Sequence, residues 1–341
     1  AASSSAVYGR IGVCTQRFGG FGAWLINVIN ILSGQLDVAG GVMFSKPAVD
    51  FLPLAPKGHY DIWRSRVRNL PEFGGELPVS TLAEEMDTPG EGQIKAFLTI
   101  AGNPVLSSPN GARLERALPN LDFMVCIDPY INETTRHAHI ILPPTSPLER
   151  DHYGLVFHGL AIHNTAKYSE ALFEPPPNAK HDWQIALDLA ECLLKRRKDR
   201  DMTARSMLLL GRHTGPQRLL DIGLRTGPYG SKLNPFGKGL TLEKLRCSKT
   251  GADLGPLKPC LPKRLFSDDK RITLAPPVIV ADVERLIAAV DAGELTPEGG
   301  KFLLIGRRQL RSNNSWLHNS KRLMRGKKRC TLMIHPDDAK H

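Results

Sequence analysis

The sequence predicts an α/β fold built on a parallel sheet, and three observations predict it. Nearly uninterrupted apolar runs of strand length recur at 94–100, 123–127 and 140–142. Segments with helical character lie between them, at 110–118 and 132–137. The runs do not alternate apolar with polar, which is the mark of strands buried on both faces. Strands separated by helices are joined by crossovers, which make them parallel and right-handed.

Each element has its own grounds. Val7 to Val13 reads as a short buried strand, followed by a turn rich in glycine at Gly19, Gly20 and Gly22. Between Ala23 and Leu32, Trp24, Leu25, Val28, Ile29, Ile31 and Leu32 recur at helical spacing. Residues 45–92 are rich in Pro, Gly and charge, with no clear period beyond a short helix near 79–86, and read as a long surface excursion. Leu114, Ala117 and Leu118 give the 110–118 helix its apolar side, and Asn132 is placed to cap the next one. Asp182 to Leu194 closes the unit as a helix. Residues 199–300 read as a connecting region with basic and Gly-Pro breaks. Two further strands are expected at 302–305 and 330–334, with a helix starting after Asp337.

The composition is that of a soluble globular protein: of 341 residues, 41% are hydrophobic and 23% charged. No run approaches the roughly 18 apolar residues of a membrane span. The longest candidate, Phe21 to Leu32, is broken by Asn27 and Asn30. No signal peptide is visible; the first residue is not Met, and the chain reads as beginning inside a domain. The net charge of +11 suits an anionic partner: nucleic acid, a membrane surface or an anionic cofactor. Aromatics are only 6%, too few for the stacking platforms of a nucleic-acid binder. The cluster from Lys195 to Arg200 reads as the solvated end of a helix, while the cluster between Arg307 and Arg329 needs another reason.

The six cysteines, Cys14, Cys126, Cys192, Cys247, Cys260 and Cys330, form no Cys-x-x-Cys pair. No iron–sulfur or zinc site from this chain alone is expected, and all six read as structural. The nearby His137, His139, His152, His158 and His163 lack helical metal spacing, although His137 and His139 would share one face of a strand. Glu149, Arg150 and Asp151 read as a local charge network.

Ligands of parallel α/β sheets sit outside the carboxyl ends of the strands. Those ends are Gly102-Asn103-Pro104, Asp128-Pro129-Tyr130, Pro143-Pro144-Thr145 and Gly306-Arg307-Arg308. Asn103 offers a donor and an acceptor, and Asp128 can accept from a purine or a ribose. Arg307 and Arg308 carry planar forks suited to pyrophosphate. Gly-x-Gly-x-x-Gly, a Walker lysine loop and Gly-x-Ser-x-Gly are all absent, which argues against ordinary dinucleotide, nucleoside-triphosphate and hydrolase readings.

The order of motifs carries a resemblance. Gly102-Asn103-Pro104, the 113–118 helix, Leu121-Asp122-Phe123, Asp128, Asn132-Glu133-Thr134-Thr135, Ala138 to Pro143 and Leu148-Glu149-Arg150 follow one another. This run resembles the molybdopterin oxidoreductases of the dimethyl-sulfoxide-reductase superfamily, which includes formate dehydrogenases and nitrate reductases. His139 stands where the family has an aspartate. Ile11 to Gln16, Gly34 to Gly41 and Gly306 to Asn319 extend the likeness over most of the chain.

The resemblance implies a Rossmann-like three-layer domain at 1–198, a connecting region at 199–300, and the start of a β-barrel-type dinucleotide-binding domain at 301–341. It implies bis-molybdopterin guanine dinucleotide with molybdenum or tungsten. Gln16, Asn103, Asp128, Arg150 and Asp182 would meet its polar groups, with Gly102 in the turn. Gly306, Arg307, Arg308, Asn313, Asn314 and Ser315 would form the pterin and phosphate clamp, which gives the basic cluster its reason. The metal ligand and the cysteine segment of a [4Fe-4S] cluster are expected outside this sequence, so no metal ligand and no catalytic residue is assigned within it. The position of the formate dehydrogenases' active-site arginine holds Val38, which argues against formate unless another arginine serves.

The expectation is part of an oxidoreductase acting on a small substrate, with an electron-transfer partner or further segments of the same enzyme. No nucleic acid and no membrane span are expected. A cytoplasmic location is expected, with the periplasm left open. The competing reading is a non-catalytic subunit or assembly module derived from the same family.

Overall fold

The computed structural model describes residues 4–55, 58–196, 201–234, 236–295, 302, 304, 306, 309–311 and 315–340. The chain divides into two compact units, Ala1–Ser45 with Gly255–His341, and Lys46–Leu254.

The first unit opens with α1 (Ile11–Cys14) and α2 (Gly19–Leu32). The expected strand at Val7 to Val13 does not form. The Asn30 side chain on α2 takes both backbone groups of Val7: its Oδ1 accepts the N–H at 2.9 Å and its amide donates to the carbonyl at 2.8 Å. That leaves Val7 no need of a neighbouring strand. After α2, Asp37 adopts a left-handed φ of 60°. Its carboxylate accepts the N–H groups of Cys260 at 2.6 Å and Leu261 at 2.7 Å, pinning the later part of the unit to the earlier.

The second unit begins with a hairpin, β1 (Tyr60–Arg64) and β2 (Pro71–Phe73), followed by α3 (Leu82–Asp87). Part of the expected surface excursion is therefore ordered. Glu72, fully buried, organises the hairpin by accepting the N–H groups of Ile62 at 3.0 Å and Gly75 at 3.1 Å. His59 Nδ1 lies 2.8 Å from the same carboxylate. Burial opposes ionisation of Glu72, but these hydrogen bonds outweigh it and hold its pKa below the ordinary value.

The parallel sheet follows as predicted. β3 (Ala96–Ile100), α4 (Pro104–Ser107), α5 (Gly111–Ala117), β4 (Phe123–Ile127) and β5 (Ile140–Ile141) come in order, and the strands lie side by side in the order β3-β4-β5. Thr99 pairs with Cys126, and Cys126 with Ile141. Met86, Leu114, Ala117, Leu118, Met124 and Cys126 form a core on one face of the sheet. The expectation of burial on both faces is corrected. Leu98 (48%), Ile100 (57%), Phe123 (45%) and Ile140 (44%) expose their side chains, because α3 and α5 cover one side only.

Short pieces follow: β6 (His152–Tyr153), α6 (Leu155–His158), β7 (Thr165–Ala166) and β8 (Tyr168–Ser169). Next come α7 (Asp182–Arg196), α8 (Met202–Thr226), α9 (Leu242–Arg246) and β9 (Ala252–Asp253). The connecting region is thus largely helical in its first part. α8 breaks at Gly215, whose φ of 66° and ψ of 167° are non-helical, just before Pro216. A second core gathers Ala48, Ala166, Tyr168, Leu224, Leu242 and Leu245.

The chain then returns to the first unit with α10 (Pro277–Asp291) and α11 (Lys321–Met324). The Trp24 indole donates to the Leu274 carbonyl at 2.8 Å, and the Arg285 guanidinium lies 4.2 Å from the centroid of the Phe18 ring. The strand expected at 330–334 is absent: these residues are all exposed, without a pairing strand among the described residues. The strand expected at 302–305 lies partly outside the described residues. No described helix is long and apolar enough to cross a membrane.

Candidate functional site

The loops after β3 and β4 build the best-defined polar constellation of the second unit. Ala101, at the end of β3, takes the left-handed φ of 53° that the turn requires and donates its N–H to the Ile127 carbonyl at 2.9 Å. The adjacent Gly102 does not need that conformation. Asn103 follows, almost buried, with both ends of its amide in use. It donates to Glu133 Oε2 at 2.8 Å and accepts from Thr134 Oγ1 at 2.7 Å.

Asp128 ends β4 and is 1% exposed. Its Oδ1 accepts the Tyr130 N–H at 2.8 Å. Its Oδ2 is buried and has no hydrogen-bond partner among the described residues. A buried carboxylate oxygen without a donor is costly, so this atom has the chemistry of a ligand acceptor. Several hydrogen bonds tie the loop beyond it to itself. Asn132 Oδ1 accepts the N–H groups of Thr134 and Thr135, both at 2.9 Å. The expected 132–137 helix is reduced to a 3-10 turn, Thr135–His137, whose N-cap position is Thr134, so Asn132 closes the turn before it instead of capping a helix. Thr135 Oγ1 accepts the Asn132 N–H at 2.8 Å and donates to the Tyr130 carbonyl at 2.9 Å.

Arg150 and Asp182 pair with each other, and Asp182 also accepts the Trp183 N–H at 2.9 Å. The expected charge network around Arg150 is not formed. Glu149 accepts the Ser146 N–H, while Asp151 turns to Tyr168, the Ala171 N–H and Gln217. Burial disfavours the charge on Asp151, but those three hydrogen bonds outweigh it and lower its pKa. Tyr168 is pushed up to about 12 by burial and by that carboxylate. Gln16 and Gly306 are exposed in the first unit. Arg307, Arg308, Asn313 and Asn314 lie outside the described residues, and Ser315 opens a 3-10 turn, Ser315–Asn319.

Among the described residues, no group of three or more His, Cys, Asp or Glu could hold a metal ion. His137 sits in a 3-10 turn and His139 precedes β5, so the two do not share a strand face. Of the six thiols, Cys126 is buried and Cys260 partly so, with burial pushing both up; the other four are exposed. A cavity of about 250 Å³ opens between α7 and α8, lined by Lys180, Trp183, Gln184, Leu187, Asp188 and Arg212. Its cations are already paired, Lys180 and Arg212 each with Asp188 at 2.6 Å, and none of Asn103, Asp128 or Thr134 lines it.

Glu133 and Thr134 are partners that the sequence did not mark as site residues. Their bonds to Asn103 span 30 and 31 positions. The Glu-Thr pair itself was the available signal. Thr145, buried beside β5 with its Oγ1 2.7 Å from His181 Nδ1, is a second such residue.

Comparison with known proteins bears on this arrangement. The chain is 40% identical over 124 residues to the assimilatory nitrate reductase catalytic subunit of Bacillus subtilis (strain 168), covering 36% of this chain and 17% of that protein. It is 32% identical over 116 residues to the F420-dependent formate dehydrogenase subunit alpha of Methanocaldococcus jannaschii, covering 33% and 16%. It is 26% identical over 187 residues to the thiosulfate reductase molybdopterin-containing subunit PhsA of Salmonella typhimurium, covering 50% and 24%. The matched part thus spans about a quarter or less of these relatives' own length. Among solved structures, acetylene hydratase from Pelobacter acetylenicus superposes with a TM-score of 0.39 at 19% identity, over 61% of this chain and 25% of that one. The molybdopterin oxidoreductase family model matches residues 8–192, a stretch that contains Asn103, Asp128 and Thr134, and the chain belongs to that family.

Proposed function

We propose that this chain forms part of the cofactor-binding wall of a molybdenum or tungsten oxidoreductase acting on a small substrate, in the manner of nitrate reductases and formate dehydrogenases. The observation that carries the reading is the buried Oδ2 of Asp128, unpartnered among the described residues, at the carboxyl end of the parallel sheet and inside the family-matched segment. A base with adjacent N–H donors satisfies such an oxygen, which favours the guanine dinucleotide form of the cofactor. The residues present fit that part of the group.

When bound, the metal–pterin group supplies two-electron redox chemistry. The chain's own share is binding and orientation. Asp128 accepts from the base. Gln16, Gly102, Arg150, Asp182, Gly306 and the clamp Arg307, Arg308, Asn313, Asn314 and Ser315 are proposed contacts to its polar groups. The segment from 301 onward is proposed to begin the barrel-type dinucleotide-binding domain. The metal ligand and a [4Fe-4S] cluster are proposed to come from outside this chain, with electrons leaving to a separate partner.

Metal and pterin analysis of the full-length enzyme tests the assignment, with molybdenum or tungsten and guanine nucleotide expected together in the hydrolysed cofactor. Absence of both metals would refute it. Asp128→Asn, which turns one acceptor oxygen into a donor, should reduce cofactor retention at least tenfold, the effect of about 1.4 kcal/mol.

A further inference from the structure

Resting on the reading above, we propose that Thr134 is a positioning residue: through Asn103 it latches the two strand-end loops together and fixes the plane in which the Asp128 carboxylate meets the nucleotide base. The role rests on a series of hydrogen bonds, joined through the loop's own backbone, whose last member ends on the other oxygen of that carboxylate.

The relay starts across the sheet. Thr134 is fully buried on the loop after β4. Its hydroxyl donates to Asn103 Oδ1 at 2.7 Å and accepts the Val105 N–H at 3.1 Å, so it grips both the turn after β3 and the start of α4. Glu133 Oε2 adds a bond from the Asn103 amide at 2.8 Å. The next links run within the loop. The Thr134 and Thr135 N–H groups donate to Asn132 Oδ1, and the Thr135 hydroxyl donates to the Tyr130 carbonyl. The Tyr130 N–H then donates to Asp128 Oδ1. One carboxylate oxygen is thereby committed, and Oδ2 is left for a ligand.

A carboxylate free to rotate would lose that freedom on binding. A carboxylate held at Oδ1 binds a planar base in one orientation. The latch therefore bears on discrimination between bases. Asn103 belongs to the latch, because both ends of its amide are spent on Glu133 and Thr134.

The test uses the cofactor-free full-length protein, with GDP and ADP as probes in titration calorimetry, and hydrogen exchange at the Tyr130 amide. Thr134→Val, which keeps the shape and removes the hydroxyl, should weaken GDP binding about tenfold while changing ADP binding little. It should also speed exchange at Tyr130, and Thr134→Ser should restore both. If Thr134→Val does not fold, Asn132→Ala cuts the same relay and carries the test. Unchanged exchange at Tyr130 overturns the latch whatever the nucleotides do. An equal loss for GDP and ADP reduces Thr134 to general structural support and also overturns it. If the wild type shows no preference for GDP, the nucleotide reading falls and the positioning role with it; the exchange data then still report whether the relay exists.

Discussion

Met124 donates its backbone N–H to the imidazole Nδ1 of His139 at 3.0 Å, while the His139 N–H donates to the Met124 carbonyl at 2.9 Å. The side chain and backbone of one residue thus close the ladder between β4 and β5 at its first rung. The aspartate that the resemblance implies at this position could accept the same N–H. His139→Ala should leave the amide of fully buried Met124 unpaired and cost about 1–3 kcal/mol. His139→Asp should recover most of that loss. Urea denaturation of the three proteins checks both; equal stability of the alanine variant and the wild type would dismiss the role.

Glu72 gives a pH-dependent prediction. Its pKa is lowered in the folded protein from an ordinary 4.5, so the unfolded chain takes up its proton first as pH falls. Its contribution is therefore fully present above that ordinary value and is lost as pH falls through the lower folded value. Glu72→Gln should be less stable than the wild type at pH 7, and the gap should narrow below pH 4.5. Urea midpoints at a series of pH values measure it. A gap that widens on acidification would contradict the assignment.

Ala101 holds a left-handed φ of 53°, a conformation that costs a residue with a Cβ about 1 kcal/mol or more. Glycine has no such penalty, though it gives up some of the gain to the unfolded chain's entropy. Ala101→Gly should therefore leave stability equal or raise it by up to about 1 kcal/mol. A clear fall in the denaturation midpoint would show that the alanine methyl has a packing role.

Leu118 is fully buried in the core beneath the sheet. Leu118→Ala should cost about 2–5 kcal/mol through lost burial and the cavity left behind. The same change at Leu193, 66% exposed on α7, should cost under about 0.5 kcal/mol. Denaturation midpoints compare the two, and similar losses would place the core elsewhere.

The elements that the sequence revealed are those with a strong local period. α2, α5 and α7 have apolar spacing near 3.6, and β3, β4 and β5 are short apolar runs. The hairpin of β1 and β2 was hidden because every residue of β1 is exposed, which leaves no alternation to read. Its order comes instead from buried Glu72, a carboxylate that any pattern search would place at the surface. α8 was hidden by Gly215-Pro216, which does interrupt it, but as a kink with helix on both sides. Asp128 could be found because ligand acceptors gather at strand ends. Glu133 and Thr134 could not be ranked, because their partner lies some 30 residues away and only the folded sheet brings the loops together.

The uncovered side of the sheet has a practical consequence. Leu98, Ile100, Phe123 and Ile140 present a sticky apolar plane, and β3 is, among the described residues, an edge strand. A preparation of this chain by itself is prone to self-association through that plane. Sulfate and other excluded salts, which strengthen apolar contact, should raise its light scattering. Charged replacements such as Leu98→Lys should keep it dispersed at concentrations where the natural sequence clouds.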